Sequence, residues 1–212
     1  MQTNELIAEL SSKAGNGHGG FVLPLWLAAA LAPLLAFAVF MAMLGPRSNM
    51  VASFATLRFD MKFVETGMLA CAAFAVLWAL ARPARPWRGR ILIMLVPIAM
   101  VLAAVVIELV VVPQHLWQSR AMGQNAQNCL IAVPIIGAPV LVLLLYALSQ
   151  QAPTRPSLAG AMAGFAAGGI SALFYAAHCP DDSPLFVAIW YPLATSILVA
   201  TGAFCGRLFL RW

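Results

Sequence analysis

Six long apolar stretches are the feature that most constrains how this chain can fold. They span about 21–44, 61–81, 91–113, 128–148, 157–178 and 185–206. An α-helix needs about 20 apolar residues to cross a bilayer, and a spanning helix satisfies its backbone polar groups internally. The alternation of apolar and polar residues that marks β-barrel strands is absent. The pattern predicts an all-α polytopic membrane protein, a bundle of six transmembrane helices.

The composition excludes a soluble protein and supports this reading. The 212 residues are 63% hydrophobic and 9% charged, whereas soluble domains carry about 25% charged residues. The opening "MQTNELIAELSSKAGNGHGG" has two Glu and one Lys, whereas a signal peptide begins with basic residues and a short apolar core. We therefore expect the first span to be retained, with residues 1–20 as a tail and 21–212 as the bundle.

The distribution of Lys and Arg predicts the orientation. The side that holds both termini carries eight: Lys13, Arg82, Arg85, Arg88, Arg90, Arg155, Arg207 and Arg211. The other side carries four: Arg47, Arg58, Lys62 and Arg120. Because the richer side is cytoplasmic, both termini are expected inside. The loops near 45–60, 114–127 and 178–184 are then outside, in the periplasm of a Gram-negative cell. The basic run "RPARPWRGR" at 82–90 is interpreted as a stop-transfer loop, not a nucleic-acid site.

The tail has the pattern of a short amphipathic helix. Leu6, Ile7 and Leu10 form an apolar stripe, and Glu5 and Glu9 lie on the other side. A helix of about a dozen residues is marginal in water on its own, and here a Gly-rich linker, "GNGHGG", follows it. This favours a helix whose apolar face fits the groove of a partner. A frayed tail and a helix resting on the bilayer are the alternatives.

Two of the four cysteines fall at matching heights in neighbouring spans. Cys129 lies 20 residues from Ser149 along span four, and Cys179 lies 21 residues from Leu158 along span five. At 1.5 Å per residue both distances are about 30 Å, the thickness of the hydrocarbon layer. Both thiols should therefore reach the outer surface. Cys71 and Cys205, within spans two and six, are expected to be small core residues.

The chemistry open to Cys129 and Cys179 depends on how closely their helices pack. Packed helix axes lie about 8–10 Å apart, and a disulfide needs Cα atoms within about 7 Å. Facing thiols could form a disulfide or share a soft metal ion, with His178 as a third ligand. A static structural disulfide, or two unrelated cysteines, is the alternative. Asp181 and Asp182 are expected to solvate the turn. No CxxC motif is present, which argues against thiol oxidoreductase chemistry.

Charged residues within the spans suggest a competing function. Glu108 lies in the outer third of span three, and Lys62 and Glu65 begin span two. A carboxylate in lipid normally has a partner, and Lys62 or Arg58 could pair with Glu108. The roles of these three span residues stay open. Together with the thiols, Glu108 could instead serve a small transporter or a thiol-dependent membrane enzyme.

Small residues recur at intervals of four in the last two spans. Gly160, Gly164 and Gly168 lie in span five, and Gly202 and Gly206 lie in span six. This spacing lets two helix backbones approach closely. We expect it to be structural, a contact between the two spans.

Several motifs, in order, resemble a known family. They are "TNELIAEL" at 3–10, "NC" at 128–129, "APTRPSLAGAMAGFAAG" at 152–168, "FYAAHCPDDSPLFVAIWY" at 174–191 and "GAFCGRLFLRW" at 202–212. Their order and spacing resemble the NrsF-like family of six-span anti-sigma factors, negative regulators of the extracytoplasmic-function sigma factor SigF. The resemblance is loose over 45–110, and Cys71 and Cys205 are not part of the pattern.

The resemblance implies a function for both features. It implies that the tail binds an extracytoplasmic-function sigma factor, with Leu6, Ile7 and Leu10 as anchors and Glu5 and Glu9 as a polar flank. It implies that Cys129 and Cys179 sense metal or oxidative stress at the periplasmic face and release the sigma factor. No enzymatic activity, required cofactor or direct nucleic-acid contact is implied. Transient binding of copper, zinc or another heavy metal, membrane lipid as surroundings and the bacterial inner membrane as location are expected.

Overall fold

The computed structural model describes residues 23–82, 86–151 and 153–210. These ranges are helical apart from turns and loops and contain no strand, and six helices are long and apolar enough to span a membrane. The prediction of an all-α, six-span membrane protein is confirmed. The tail at 1–20, including its proposed sigma-binding residues, lies outside the described residues.

The six spans correspond closely to the six apolar stretches. Within the described ranges, the α-helices are α1 Leu25–Met43, α2 Met50–Ser53, α3 Leu57–Leu80, α4 Leu95–Val111, α5 Trp117–Met122, α6 Ala126–Ser149, α7 Pro156–His178 and α8 Pro184–Phe209. Short 3-10 turns, Arg90–Met94 and Gln114–Leu116, precede α4 and α5. The spans are α1, α3, α4 with its 3-10 turn, α6, α7 and α8. Pro156 and Pro184 begin helices, where a missing N–H is tolerated.

Helix α7 forms the centre of the bundle, packed most closely against α8. The face of α7 is built from Ala and Gly, so the two backbones nearly touch. A Cβ atom added at Gly160 would collide with the backbone of Gly202, and one at Gly206 would lie 2.5 Å from the carbonyl oxygen of Pro156. The expectation that these glycines form a helix–helix contact is confirmed.

Helix α4 lies at the edge of the bundle. Among its residues only Pro97 and Glu108 are buried, and large apolar side chains such as Leu102, Val106 and Val110 are exposed. On a membrane protein these side chains face lipid, which is as apolar as they are. The loose seating of α4 leaves space between it and its neighbours.

The expectation that Cys71 and Cys205 are core residues is wrong. Cys71 is exposed and Cys205 is partly exposed, at the surface of the bundle. On α3 the neighbouring Ala72 and Ala73 take the buried positions instead. Because a thiol is only weakly polar, it can contact lipid as readily as a protein core.

The start of α1 is fastened to the connection between α6 and α7. The backbone N–H of Leu23 donates a hydrogen bond to Oε1 of Gln150, and Leu23 is buried. Gln150 directly follows α6, six residues before α7 begins. The chain therefore enters the bundle beside the ends of α6 and α7.

Candidate functional site

Cys129 and Cys179 meet at the other end of α6 and α7, which we call the thiol end. Cys129 lies in the first turn of α6, and Cys179 directly follows the last residue of α7. Both residues are 0% exposed, both are free thiols, and they are close enough to interact electrostatically. Two reduced thiols therefore share one region of the bundle that is closed to solvent.

Two aromatic side chains surround the thiols and connect the helices that carry them. The Tyr175 hydroxyl donates a hydrogen bond to the carbonyl oxygen of Asn125, 3.3 Å away. The backbone N–H of Cys129 donates to the same oxygen at 2.8 Å. Tyr175 also contacts the Cys179 thiol and packs edge-on against Tyr191 of α8, with ring centroids 6.0 Å apart. A shift between α6 and α7 must therefore disturb this contact.

Asp181 fastens the turn after α7 to the start of α6. Its Oδ2 accepts hydrogen bonds from the backbone N–H groups of Gln124 and Asn125, at 3.0 and 2.9 Å, and from the Asn125 side chain at 3.1 Å. Asn125 makes no side-chain capping bond of its own. A carboxylate near a helix N-terminus is favoured by the helix dipole. Asp181 thus holds α6 from outside, one turn before Cys129.

A cluster of four charged residues, Arg47, Lys62, Asp181 and Asp182, covers Cys179, and we call it the ionic cap. Lys62, 1% exposed, forms an ion pair with Asp182 at 2.5 Å and donates to the carbonyl oxygen of Cys179 at 3.0 Å. Arg47 pairs with Asp182 at 3.2 Å and donates to the same carbonyl oxygen at 3.3 Å. Its guanidinium lies 4.3 Å from the centre of the Phe59 ring. Exposing Cys179 to solvent at this end requires the ion pairs and hydrogen bonds of the ionic cap to break.

Glu108 belongs to a second ionic group beside the cap. Its carboxylate, 3% exposed, pairs with Arg58 at 2.7 Å and Arg120 at 2.8 Å and accepts a bond from Ser183 at 3.3 Å. The expectation that Arg58 could pair with Glu108 is confirmed, and Lys62 pairs with Asp182 instead. These three partners make the buried carboxylate a structural group that joins α4 to α3, to α5 and to the α7–α8 loop at the thiol end.

Asp181 and Asp182, which the sequence predicts to solvate the turn, are also held by neighbouring groups. Both carboxylates bind protein groups, because the turn folds back over the starts of α3 and α6, which offer cations and backbone N–H groups. Sequence reasoning did not single out Arg47, Asn125 or Tyr175. A usable signal was present for Arg47, since four basic residues and five acidic ones fall together in the outer loops and the outer ends of the spans.

His178 is oriented toward the α1–α2 connection. Its Nδ1 lies 3.0 Å from the carbonyl oxygen of Gly45, to which it can donate a hydrogen bond. Nearby, the backbone N–H of Arg47 donates to the carbonyl oxygen of Ala177 at 3.1 Å. In the part of the chain that the structure describes, no group of three or more His, Cys, Asp or Glu side chains could hold a metal ion. The third-ligand role expected for His178 therefore has no support in this geometry, and the described residues leave Cys129 and Cys179 as the candidate ligands.

Alkylation of Cys179 should keep accelerating as the pH rises past the ordinary thiol pKa of about 8.5. Burial raises the pKa of Cys179, and the Lys62 ammonium offsets part of that increase. The protonated thiol therefore stabilises the fold at neutral pH, and this stability is lost as the pH rises through the raised pKa. The measurement is the iodoacetamide rate of a protein with Cys71, Cys129 and Cys205 replaced by Ala. A native rate that levels off near pH 8.5, as in denaturant, would contradict the expectation.

These features define a class: a six-span α-helical membrane protein with a buried pair of reduced thiols under an ionic cap. The family described as "NrsF: Negative regulator of sigma F" matches residues 21–212, so the chain belongs to the NrsF family. That family is regulatory, not enzymatic.

Two relatives match over their full length. The chain is 31% identical over 214 residues to a protein of Caulobacter vibrioides named "Anti-sigma-F factor NrsF", covering 100% of both chains. It is 29% identical over 222 residues to a protein of Azospira oryzae named "Probable anti-sigma-F factor NrsF", again covering 100% of both. No solved structure matches the chain.

Proposed function

We propose that this protein is an inner-membrane anti-sigma factor that holds an extracytoplasmic-function sigma factor through residues 1–14. Membership of the NrsF family and the names of its relatives support the regulatory role. The apolar stripe of Leu6, Ile7 and Leu10 supplies the binding face. In this proposal both termini are cytoplasmic and the thiol end faces the periplasm, as the Lys and Arg distribution indicates.

One observation supports a route from the thiols to the tail. The bond between Leu23 and Gln150 anchors the root of the tail beside α6 and α7, the same two helices that carry Cys129 and Cys179 at their other ends. Helix α6 has 24 residues, a length of about 36 Å at 1.5 Å per residue. Because α6 is continuous between the two ends, with Pro134 and Pro139 inside it, it is the element through which a displacement at the thiol end would reach the root of the tail.

The thiol pair supports sensing of an oxidant or a soft metal. A two-electron oxidant would join the sulfur atoms as a disulfide, taking two electrons while the two thiols lose their protons. A soft ion such as Cu(I) would bind both thiolates, again with loss of two protons. Zinc usually has four ligands at structural sites, and the described residues offer no third ligand beside the thiols. Two-coordinate soft ions therefore fit better than zinc.

Either event would shift a two-state equilibrium. New bonding between Cys129 and Cys179 changes the distance between α6 and α7 and strains the Asp181 and Tyr175 contacts. To raise the free sigma factor a hundredfold, the signal must favour the releasing state by roughly 2.7 kcal/mol. Bonding of two thiolates to one metal ion can supply this.

Removal of residues 1–14 should abolish sigma-factor binding by the intact bundle. Full-length and truncated proteins, solubilised in detergent, would be incubated with lysate of their own cell and the retained proteins identified by mass spectrometry. A sigma factor is expected on the full-length protein alone. A matched pair sharpens the test: Leu6→Asp with Leu10→Asp should lose the partner, whereas Glu5→Gln should keep most of it. Retention by the truncated protein would refute the role of the tail.

A further inference from the structure

A cavity of about 640 Å³ lies within the membrane part of the bundle, between α3, α4, α7 and α8. Its walls are almost entirely apolar, with Leu69, Val101, Phe165 and Val199 among them. It exists because α4 is seated loosely at the edge of the bundle. A space of this size can hold a small organic molecule.

Three polar side chains line this cavity without a partner. The hydroxyl of Tyr191, a residue 4% exposed, and that of Thr195, 2% exposed, have no hydrogen-bond partner among the described residues. Glu65, 6% exposed, makes no hydrogen bond or ion pair within the same ranges. Buried polar groups are nearly always paired, and an acid within a span is by default a functional candidate.

The three groups lie at similar depth. Glu65 is eight residues into α3, and Tyr191 and Thr195 are seven and eleven residues into α8. At 1.5 Å per residue these positions lie about 10–17 Å below the thiol end. Tyr191 and Thr195 are four residues apart, on one face of α8. They can therefore act on one ligand.

The nearby cations are committed elsewhere. Lys62, one turn from Glu65, is bound to Asp182 in the ionic cap, and Arg58 is bound to Glu108. The cavity therefore has a carboxyl group and four hydroxyls, those of Thr66, Tyr191, Thr195 and Ser196, but no positive charge of its own. A ligand that fits must be apolar over most of its surface and must bring the missing cation.

We propose that the cavity binds a lipophilic cation, an apolar molecule with one ammonium or phosphonium centre. Glu65 supplies the counter-charge, and the rings of Tyr191 and Phe165 offer cation–π contact. The hydroxyls of Tyr191 and Thr195 present oxygen lone pairs to the cation. The ionised Glu65 carboxylate would repel anionic amphiphiles such as fatty acids. The site is independent of the proposed sigma-factor role, although Tyr191 also packs against Tyr175 beside the thiols.

Equilibrium dialysis of the full-length protein in nanodiscs with radiolabelled tetraphenylphosphonium tests the proposal. Empty nanodiscs correct for partition into lipid, and triphenylphosphine oxide serves as a neutral probe of similar shape. We expect saturable binding of the cation, at least tenfold tighter than that of the neutral probe. Glu65→Gln should weaken cation binding at least tenfold, and Glu65→Asp should retain part of it.

A second variant fills the cavity without changing its charge. Val101→Trp, on the loosely packed helix α4, should weaken both probes while circular dichroism and the thermal unfolding curve stay close to wild type. The proposal is overturned if the wild-type protein shows no saturable binding, if both probes bind equally, or if folded Glu65→Gln binds the cation unchanged. None of these outcomes depends on whether a sigma factor is retained.

Discussion

Gly160→Ala is expected to lower the free energy of unfolding by about 3 kcal/mol, the upper part of the range for overpacked cores. The added methyl group would collide with the carbonyl group of Gly202, a backbone atom that no rotamer change can move. The same substitution on the facing helix, Gly202→Ala, would place its methyl group against the backbone of Gly160. Either change must push α7 and α8 apart along their closest contact. The close contact between α7 and α8 therefore requires glycine at both positions.

Thermal unfolding in a single detergent, followed by circular dichroism, measures the effect. Gly67→Ala is the matched control, because it makes the same change inside α3 and its Cβ would lie 3.5 Å from Leu173, an ordinary contact. The control should unfold close to the wild-type temperature. Equal unfolding temperatures for Gly160→Ala and Gly67→Ala would mean that α7 and α8 are not packed backbone to backbone.

The spans could be predicted because the bilayer imposes a length on them. The fifth apolar stretch, 157–178, differs by one residue from α7, and the fourth, 128–148, differs by only a few from α6. The glycine contact was also predictable, since an interval of four residues places small residues on one face of a helix. Each of these two signals lies within a short stretch of sequence, and each has a single physical cause: bilayer thickness for the spans and the helical repeat for the glycines.

The exposure of Cys71 could not be predicted, because hydropathy does not distinguish a lipid-facing side from a core-facing side when both are apolar. The ionic cap was hidden for a different reason. It joins Arg47, Lys62 and Asp182, which are up to 135 residues apart, and their pairing depends on how the loops fold over one another. The sequence did show that these loops carry both basic and acidic residues, which can pair with one another. Short helices α2 and α5, which shape the loops, gave no periodic signal of useful length.

In the proposed mechanism, the packing also indicates which helix would move on reaction of the thiols. Helix α7 is held against α8 through Gly160, Gly164 and Gly168, where backbone or side-chain atoms of α8 leave no space for a Cβ atom. Helix α6 is tied to α7 at the thiol end by polar contacts, those of Asp181 and Tyr175. Polar contacts can be exchanged with water or a ligand at lower cost than a closely packed core. We therefore expect the thiol end of α6 to shift against the α7–α8 pair, while Gly137, where an added Cβ would collide with Leu198, keeps the middle of α6 closely packed.

Cys129→Ser and Cys179→Ser should each reduce signal-induced transcription at least tenfold while leaving repression in unstressed cells intact. Each variant keeps the tail and the bundle, and so should still hold the sigma factor. Each removes one of the two sulfur atoms that a disulfide or a two-coordinate metal ion needs. A tenfold loss corresponds to about 1.4 kcal/mol of lost coupling, half of the roughly 2.7 kcal/mol required for a hundredfold response.

Reporter transcription from a sigma-dependent promoter, with diamide as oxidant and copper or cadmium as soft metal, measures this loss. Cys71→Ser and Cys205→Ser are the matched controls, because these thiols lie at the bundle surface, away from the ionic cap, and should keep the full response. A response to metal but not to diamide in wild type would assign the pair to metal binding, and the reverse to oxidation. Full induction by both agents in a stable Cys129→Ser, Cys179→Ser double variant would exclude the thiol pair as the sensor.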